Sequence, residues 1–89
     1  METAISWKSL FENWPNAIPQ QGMVVTVSGE GIPFISFMIS GGLLLLERDK
    51  PDQYGTRKVI LPWTQLAALR LSTTEDMARF QSMGFQRTL

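Results

Sequence analysis

The chain has 89 residues with neither Cys nor His, and eight basic residues balance eight acidic ones. A single domain is expected at this length, too small to bury more than about two-thirds of its unfolded surface and so dependent on some further source of stability. The composition excludes a disulfide framework and a thiolate or imidazole metal site, and zero net charge argues against binding driven mainly by phosphate neutralisation.

The first predicted element is a helix over residues 4–14. Trp7, Leu10, Phe11 and Trp14 fall at i, i+3, i+4 and i+7, one helical stripe. Lys8, Ser9, Glu12 and Asn13 lie off it, and Pro15 ends the helix. So short a helix is marginal in water and must dock its aromatic rings on the rest of the domain.

A body of five strands is expected over residues 22–71. Met23 to Val27 is β-branched, and Gly29-Glu30-Gly31 is a turn. Pro33 lacks a backbone donor and opens the second strand, which runs on through Phe34 to Ile39. Gly41-Gly42 permits a tight turn into Leu43 to Glu47. Residues Arg48 to Lys58 form a hairpin loop, with Lys50-Pro51-Asp52 and Tyr54-Gly55 as its turn chemistry. Val59 to Leu61 is the fourth strand, Pro62 to Gln65 a single turn, and Ala67 to Leu71 the fifth strand. Ser72 and Glu75 have capping-box spacing, predicting a C-terminal helix over residues 73–84 that Gly84 ends.

Phe34 to Ile39 and Leu43 to Leu46 are apolar at both strand parities. Strands buried on both faces belong inside a sheet, in a closed barrel or between subunits. So small a chain has little with which to cover both faces, which predicts a mostly β small barrel with flanking helices that assembles with copies of itself. No leader segment is read at Met1-Glu2-Thr3. The four consecutive leucines fall far short of the roughly 20 residues a spanning helix needs. The expected setting is cytoplasmic, away from membranes.

The segment Val59-Ile60-Leu61-Pro62-Trp63-Thr64-Gln65-Leu66-Ala67-Ala68-Leu69 resembles the second motif of the Sm-like family as its bacterial, Hfq-like members carry it: an apolar strand, a short turn, then a strand of small residues. Gly31 to Glu47 is similar to a diverged first motif. The resemblance spans Trp7 to Leu71. It implies a strongly bent five-stranded barrel in a ring of about six or seven subunits, the fourth strand of one copy pairing with the fifth of the next. It also implies single-stranded RNA around the pore, with Ser40, Gly41, Gly42, Trp63 and Thr64 in the reading positions. Val59, Ile60, Leu61, Ala68, Leu69 and Leu71 are then the subunit interface. The family's Asp and Asn before the third strand are replaced here by Ser40-Gly41-Gly42-Leu43. The Lys-His pair of its bacterial branch is replaced by Pro62-Trp63-Thr64.

Simpler roles weigh against each functional one. Trp63 either stacks on a base or packs against the N-terminal helix or a neighbouring subunit, and packing is favoured. Arg48, Lys50, Arg57 and Lys58 are interleaved with Glu47, Asp49 and Asp52, so a solvated, ion-paired hairpin is favoured over a phosphate site. No carboxylate pair has a recognisable catalytic spacing and no Ser has a His partner; a Ser-Lys arrangement is left open by the sequence, and no catalytic residue, cofactor or metal ligand is assigned. The expected function is a homo-oligomeric ring-forming module with weak RNA binding. A protein-assembly module without nucleic acid, and a monomeric barrel binding a peptide or small ligand, are the alternatives.

Overall fold

The computed structural model describes residues 3–87. A helix, α1 (Thr3–Glu12), precedes six strands: β1 (Gly22–Thr26), β2 (Gly31–Phe34), β3 (Ser36–Ser40), β4 (Leu43–Glu47), β5 (Lys58–Pro62) and β6 (Leu66–Arg70). A one-turn 3-10 helix, Trp63–Gln65, joins β5 to β6, and a second 3-10 helix covers Met77–Met83. The strands form two three-stranded antiparallel sheets, ordered β2-β1-β6 and β3-β4-β5.

Six strands appear where five are expected because the second one breaks at Ile35. Phe34 ends β2 in one sheet and Ser36 opens β3 in the other. The Ile35 N–H donates to the Glu47 carbonyl at 2.8 Å, so the chain remains tied to β4 through the break. The side-chain phase also changes there. Ile32 and Phe34 face the core in β2, whereas Phe37 and Ile39 pack against it in β3. Alternation has a period of two, so one extra residue moves the inward set from even to odd positions. Part of the two-faced apolar pattern of residues 34–39 is therefore a phase change and not burial on both sides.

In β4 the alternation is regular. Leu44 and Leu46 are fully buried, while Leu43 and Leu45 point outward. Their register partners agree: Ile39 and Leu61 flank Leu44, Phe37 and Val59 flank Leu46, and Met38 and Ile60 flank Leu45. The expectation that these strands are buried on both faces does not hold within the single chain, for Met38 and Ile60 are 68% and 65% exposed.

The core is joined by a cluster of aromatic rings. Phe11 of α1 lies 6.4 Å from Phe34, 4.9 Å from Phe37 and 5.5 Å from Trp63, centroid to centroid. Phe34 and Phe37 bracket the break at Ile35, so the helix caps the corner where the chain crosses between sheets. Trp14 adds a ring 5.4 Å from Phe11, and its Nε1 donates to the Ile18 carbonyl at 2.9 Å, anchoring the Pro15–Gln21 connection. Trp7, Leu10 and Trp14 complete the expected stripe against the core, although α1 itself ends at Glu12.

The C-terminal segment departs from expectation. Residues 72–76 are non-helical, with the Thr73 Oγ1 accepting from the Glu75 N–H at 3.1 Å. Asp76, not Ser72, caps the C-terminal helix, accepting from the Ala78 N–H at 3.3 Å, and that helix is 3-10 and not α. An α-helix needs a packed face to be stable at this length, and no residue of Met77–Met83 is buried. The ends of the expected domain, residues 1–2 and 88–89, lie outside the described residues.

Phe11→Ala removes the ring common to these contacts and should destabilise the domain by about 3–5 kcal/mol in urea denaturation; a loss under about 1 kcal/mol would show that the helix does not hold the corner.

Candidate functional site

The most informative surface begins at the turn between β5 and β6. Pro62 holds extended geometry, and Trp63 to Gln65 then make a single 3-10 turn. Trp63 is buried at 3% exposure. Its backbone N–H donates to the Gly42 carbonyl at 3.2 Å, and its Nε1 donates to the Gly41 carbonyl at 2.9 Å. Gly41 has φ +55°, the left-handed region that favours glycine, and this presents its carbonyl to the indole. The Ser40-Gly41-Gly42 turn and the Trp63-Thr64 turn, 22 residues apart in the chain, are thus clasped together. Ser40 and Thr64 are both exposed beside the clasp.

All five residues expected to meet RNA therefore gather at one end of the β3-β4-β5 sheet. Their chemistry is limited to two exposed hydroxyls and backbone groups. Trp63 packs against Phe11 and offers no open face for a base in this arrangement.

From this turn run two strands that each have a partner on one side. β5 pairs with β4, β6 pairs with β1, and β5 and β6 belong to different sheets. Among the described residues each has a strand neighbour on one side only, which leaves its other edge open. Of the expected interface residues, Val59, Ile60 and Leu61 lie on β5, and Ala68 and Leu69 lie on β6. Leu71 lies one residue beyond β6. Lys58, Pro62 and Arg70 mark the strand ends, and such residues discourage accidental edge pairing. The intervening Val59-Ile60-Leu61 and Ala67-Ala68-Leu69 carry no charge and no proline.

A second feature has almost no signature in the sequence. A cleft of about 480 Å³ opens between β1, β2 and the end of β6, lined in part by Met23, Phe34, Arg70, Leu71, Ser72 and Thr73. Gly22 lets the strands close behind it. A Cβ there would lie 2.6 Å from the Arg70 carbonyl, so any side chain would push β1 off β6. Arg70 is exposed and has no ion pair among the described residues. The cleft offers a cation, hydroxyls and an apolar wall, a set suited to a small anion with an apolar body. It draws on three segments distant in sequence. The one signal in the chain is that Arg70 is the lone charge between Val59 and Leu71.

The 48–57 loop is built around Asp52. Its carboxylate accepts from the Tyr54 N–H at 2.8 Å and the Thr56 N–H at 2.9 Å. The Thr56 and Tyr54 N–H groups, with the Arg48 charge adding to them, hold the Asp52 carboxyl below its ordinary value of 3.8. At the loop's base Lys58 and Glu47, register partners, form an exposed ion pair at 3.4 Å. Arg48 also binds the loop's framework, its Nε donating to the Lys50 carbonyl at 3.1 Å, whereas Lys50 and Arg57 have no carboxylate partner among the described residues.

Among the described residues no cluster of three His, Cys, Asp or Glu side chains stands where it could hold a metal ion, and no helix is long and apolar enough to cross a membrane. No protein-family model matches this chain, and no curated protein or solved structure matches it. The functional reading rests on its own geometry.

A carboxyl whose folded pKa is depressed contributes order above its unfolded pKa, and that contribution is lost as pH falls through the folded value. The protection of the Tyr54 and Thr56 amides, taken relative to the intrinsic exchange rate at each pH, should accordingly fall on acidification below about pH 3.8 while the β4-β5 amides stay protected. In Asp52→Ala that protection should be absent at every pH. Equal protection in the variant would show that the carboxylate does not organise the loop.

Proposed function

We infer that the protein is a self-assembling module of the Sm-like kind, in which the free edge of β5 in one copy pairs with the free edge of β6 in the next to close a ring. The observation that carries this is the position of the open edges. Counted as one strand bent at Ile35, β2 and β3 reduce the six strands to five, in the order β6-β1-β2β3-β4-β5. The fourth and fifth strands then stand at the two free ends, where the resemblance implies that ring contacts are made. An interface of one edge against a different edge is heterologous, and its repetition closes a ring when the rotation permits. The uncharged centres of both edges, and the exposed Met38 and Ile60 on either side of the half-buried Leu45, favour a covered state. A cytoplasmic setting belongs to this reading.

Assembly is the principal role, and RNA binding is weak. The clasped turns supply hydroxyls without a cation, Trp63 is buried, and the net charge is zero, so counterion release contributes little. The 480 Å³ cleft with Arg70 at its wall favours a second reading, a small-barrel domain that binds a small anionic ligand.

Sedimentation at micromolar concentration should give a species of several subunits, and a single 10.0 kDa species would end the ring reading. Leu69→Pro removes a ladder donor from β6, and the variant should dissociate or unfold; an unchanged oligomer would place the interface elsewhere.

Anisotropy with labelled uridine and adenosine hexamers should show no submicromolar binding at physiological salt. Submicromolar binding that weakens steeply with salt would reverse the ranking of assembly over RNA.

A further inference from the structure

The cleft beside Arg70 has an internal order set by strand register. Met23 is the partner of Pro33 on one side and of Arg70 on the other. The adjoining row, Ile32, Val24 and Leu69, faces the core, so Pro33, Met23 and Arg70 stand together on the outer face of the β2-β1-β6 sheet. Strands about 4.8 Å apart make this row about 10 Å long, from the cation at one end to the proline ring at the other. A Cβ on Gly31 would lie 2.8 Å from the Met23 sulfur. The thioether therefore leans along the strands toward Gly31, which is outside the cleft, and away from the wall at residues 19–21.

Two walls rise at the end of the row. One is residues 19–21, held by the Gln21 N–H on the Pro19 carbonyl at 2.8 Å. The other is residues 71–73, which follow β6 directly. The polar groups here are biased toward donation. Arg70 is the one charged residue among those that line the cleft, it has no carboxylate partner among the described residues, and a guanidinium only donates. The Thr73 Oγ1 already accepts from the Glu75 N–H at 3.1 Å, which leaves its proton to be given. Glu75 itself, the carboxylate nearest to Arg70 in the chain, is held by Arg79 at 3.3 Å. The volume of about 480 Å³ lies within the range of small-molecule sites, about 300–1,000 Å³.

We propose that this cleft binds a small organic monocarboxylate with an apolar body. The carboxylate sits in the fork of Arg70, with the Thr73 hydroxyl as a further donor, and the body lies across Met23 toward Pro33. One cation matches one negative charge, whereas a phosphate dianion would keep a charge unpaired. The planar guanidinium meets a carboxylate through two parallel N–H···O bonds. The Met and Pro side chains give an apolar body cover that a bare inorganic ion would leave unused. The inference rests on the small-ligand reading above and names the ligand class for it. It is independent of the edge pairing, because the cleft opens on the β1 side of β6 and the open edge of β6 is the opposite one.

Titration of the isotope-labelled chain with hexanoate, followed by its amide chemical shifts, tests the assignment. Hexanoate should move the amides of Gly22, Met23, Leu71, Ser72 and Thr73. Its dissociation constant should be about tenfold or more below those of hexanol, which lacks the charge, and of acetate, which lacks the body. Arg70→Gln alters an exposed side chain at a strand end, so the variant should fold. It should weaken hexanoate binding about tenfold, to the level of the alcohol, and leave the alcohol unchanged. Acetate or inorganic phosphate that binds at these amides as tightly as hexanoate overturns the apolar-body assignment and leaves the small-anion reading standing. Hexanoate binding that Arg70→Gln does not weaken overturns the carboxylate seat. Shifts confined to the exposed Met38, Ile60 and Met77 mark adsorption on apolar surface and overturn the site. No shift with hexanoate, acetate or phosphate overturns this proposal and the small-anion reading together.

Discussion

The packing of Phe11 into the corner between the sheets is the contact on which the rest of the structure depends. One ring touches Phe34 at the end of β2, Phe37 at the start of β3 and Trp63 in the turn between β5 and β6. Those three residues belong to the places where the chain leaves one sheet for the other. Without a ring to cover it, the break at Ile35 would open apolar surface to water at the point where the ladder is weakest. A domain this small has no second core to fall back on, so the helix that carries Phe11 is as much part of the β structure as any strand.

The same corner fixes the geometry of the candidate site. Trp63 is pinned by ring packing on one side and by the Gly41 and Gly42 carbonyls on the other. The turn it occupies therefore cannot drift, and β5 and β6 leave it with their free edges set in fixed directions. An edge is useful for assembly only if its direction is defined, because each added copy repeats any error in angle. Burying the indole removes it as a platform for a base and commits it to rigidity. That trade is in keeping with the proposed self-assembly.

Charge distribution points the same way. The cations of the 48–57 loop are interleaved with carboxylates, the Lys58–Glu47 pair is exposed, and the clasped turns have no charge. With zero net charge the chain has no overall positive potential to draw in a polyanion. The surface does offer apolar area: Met38 and Ile60 on the outer sheet face and Met77 on the C-terminal helix are all exposed. Arg70 sets a cation against the apolar wall of its cleft, which makes the cleft a distinct chemical environment from the rest of the described surface.

The order of residues was enough to determine the N-terminal helix and its buried stripe, because large aromatics at a period of 3.6 line one face of a helix and no face of a strand. It was enough for the strands β1, β4, β5 and β6 within a residue or two, and for the hairpin loop, where Pro, Gly and Asp impose local geometry. It also located the two turns of the candidate site, through Gly41-Gly42 and Pro62-Trp63. The features that residue order left open need contacts between distant segments. The break at Ile35 was hidden because a phase change and two-sided burial leave the same apolar run. The clasp between Trp63 and Gly41 joins residues with no local signal for each other. The cleft at Arg70 exists only because Gly22 lets β1 approach β6. The C-terminal segment carries good α-helical capping chemistry, yet it is 3-10, because a short helix takes its form from the surface it packs on and this one has none among the described residues of its own chain.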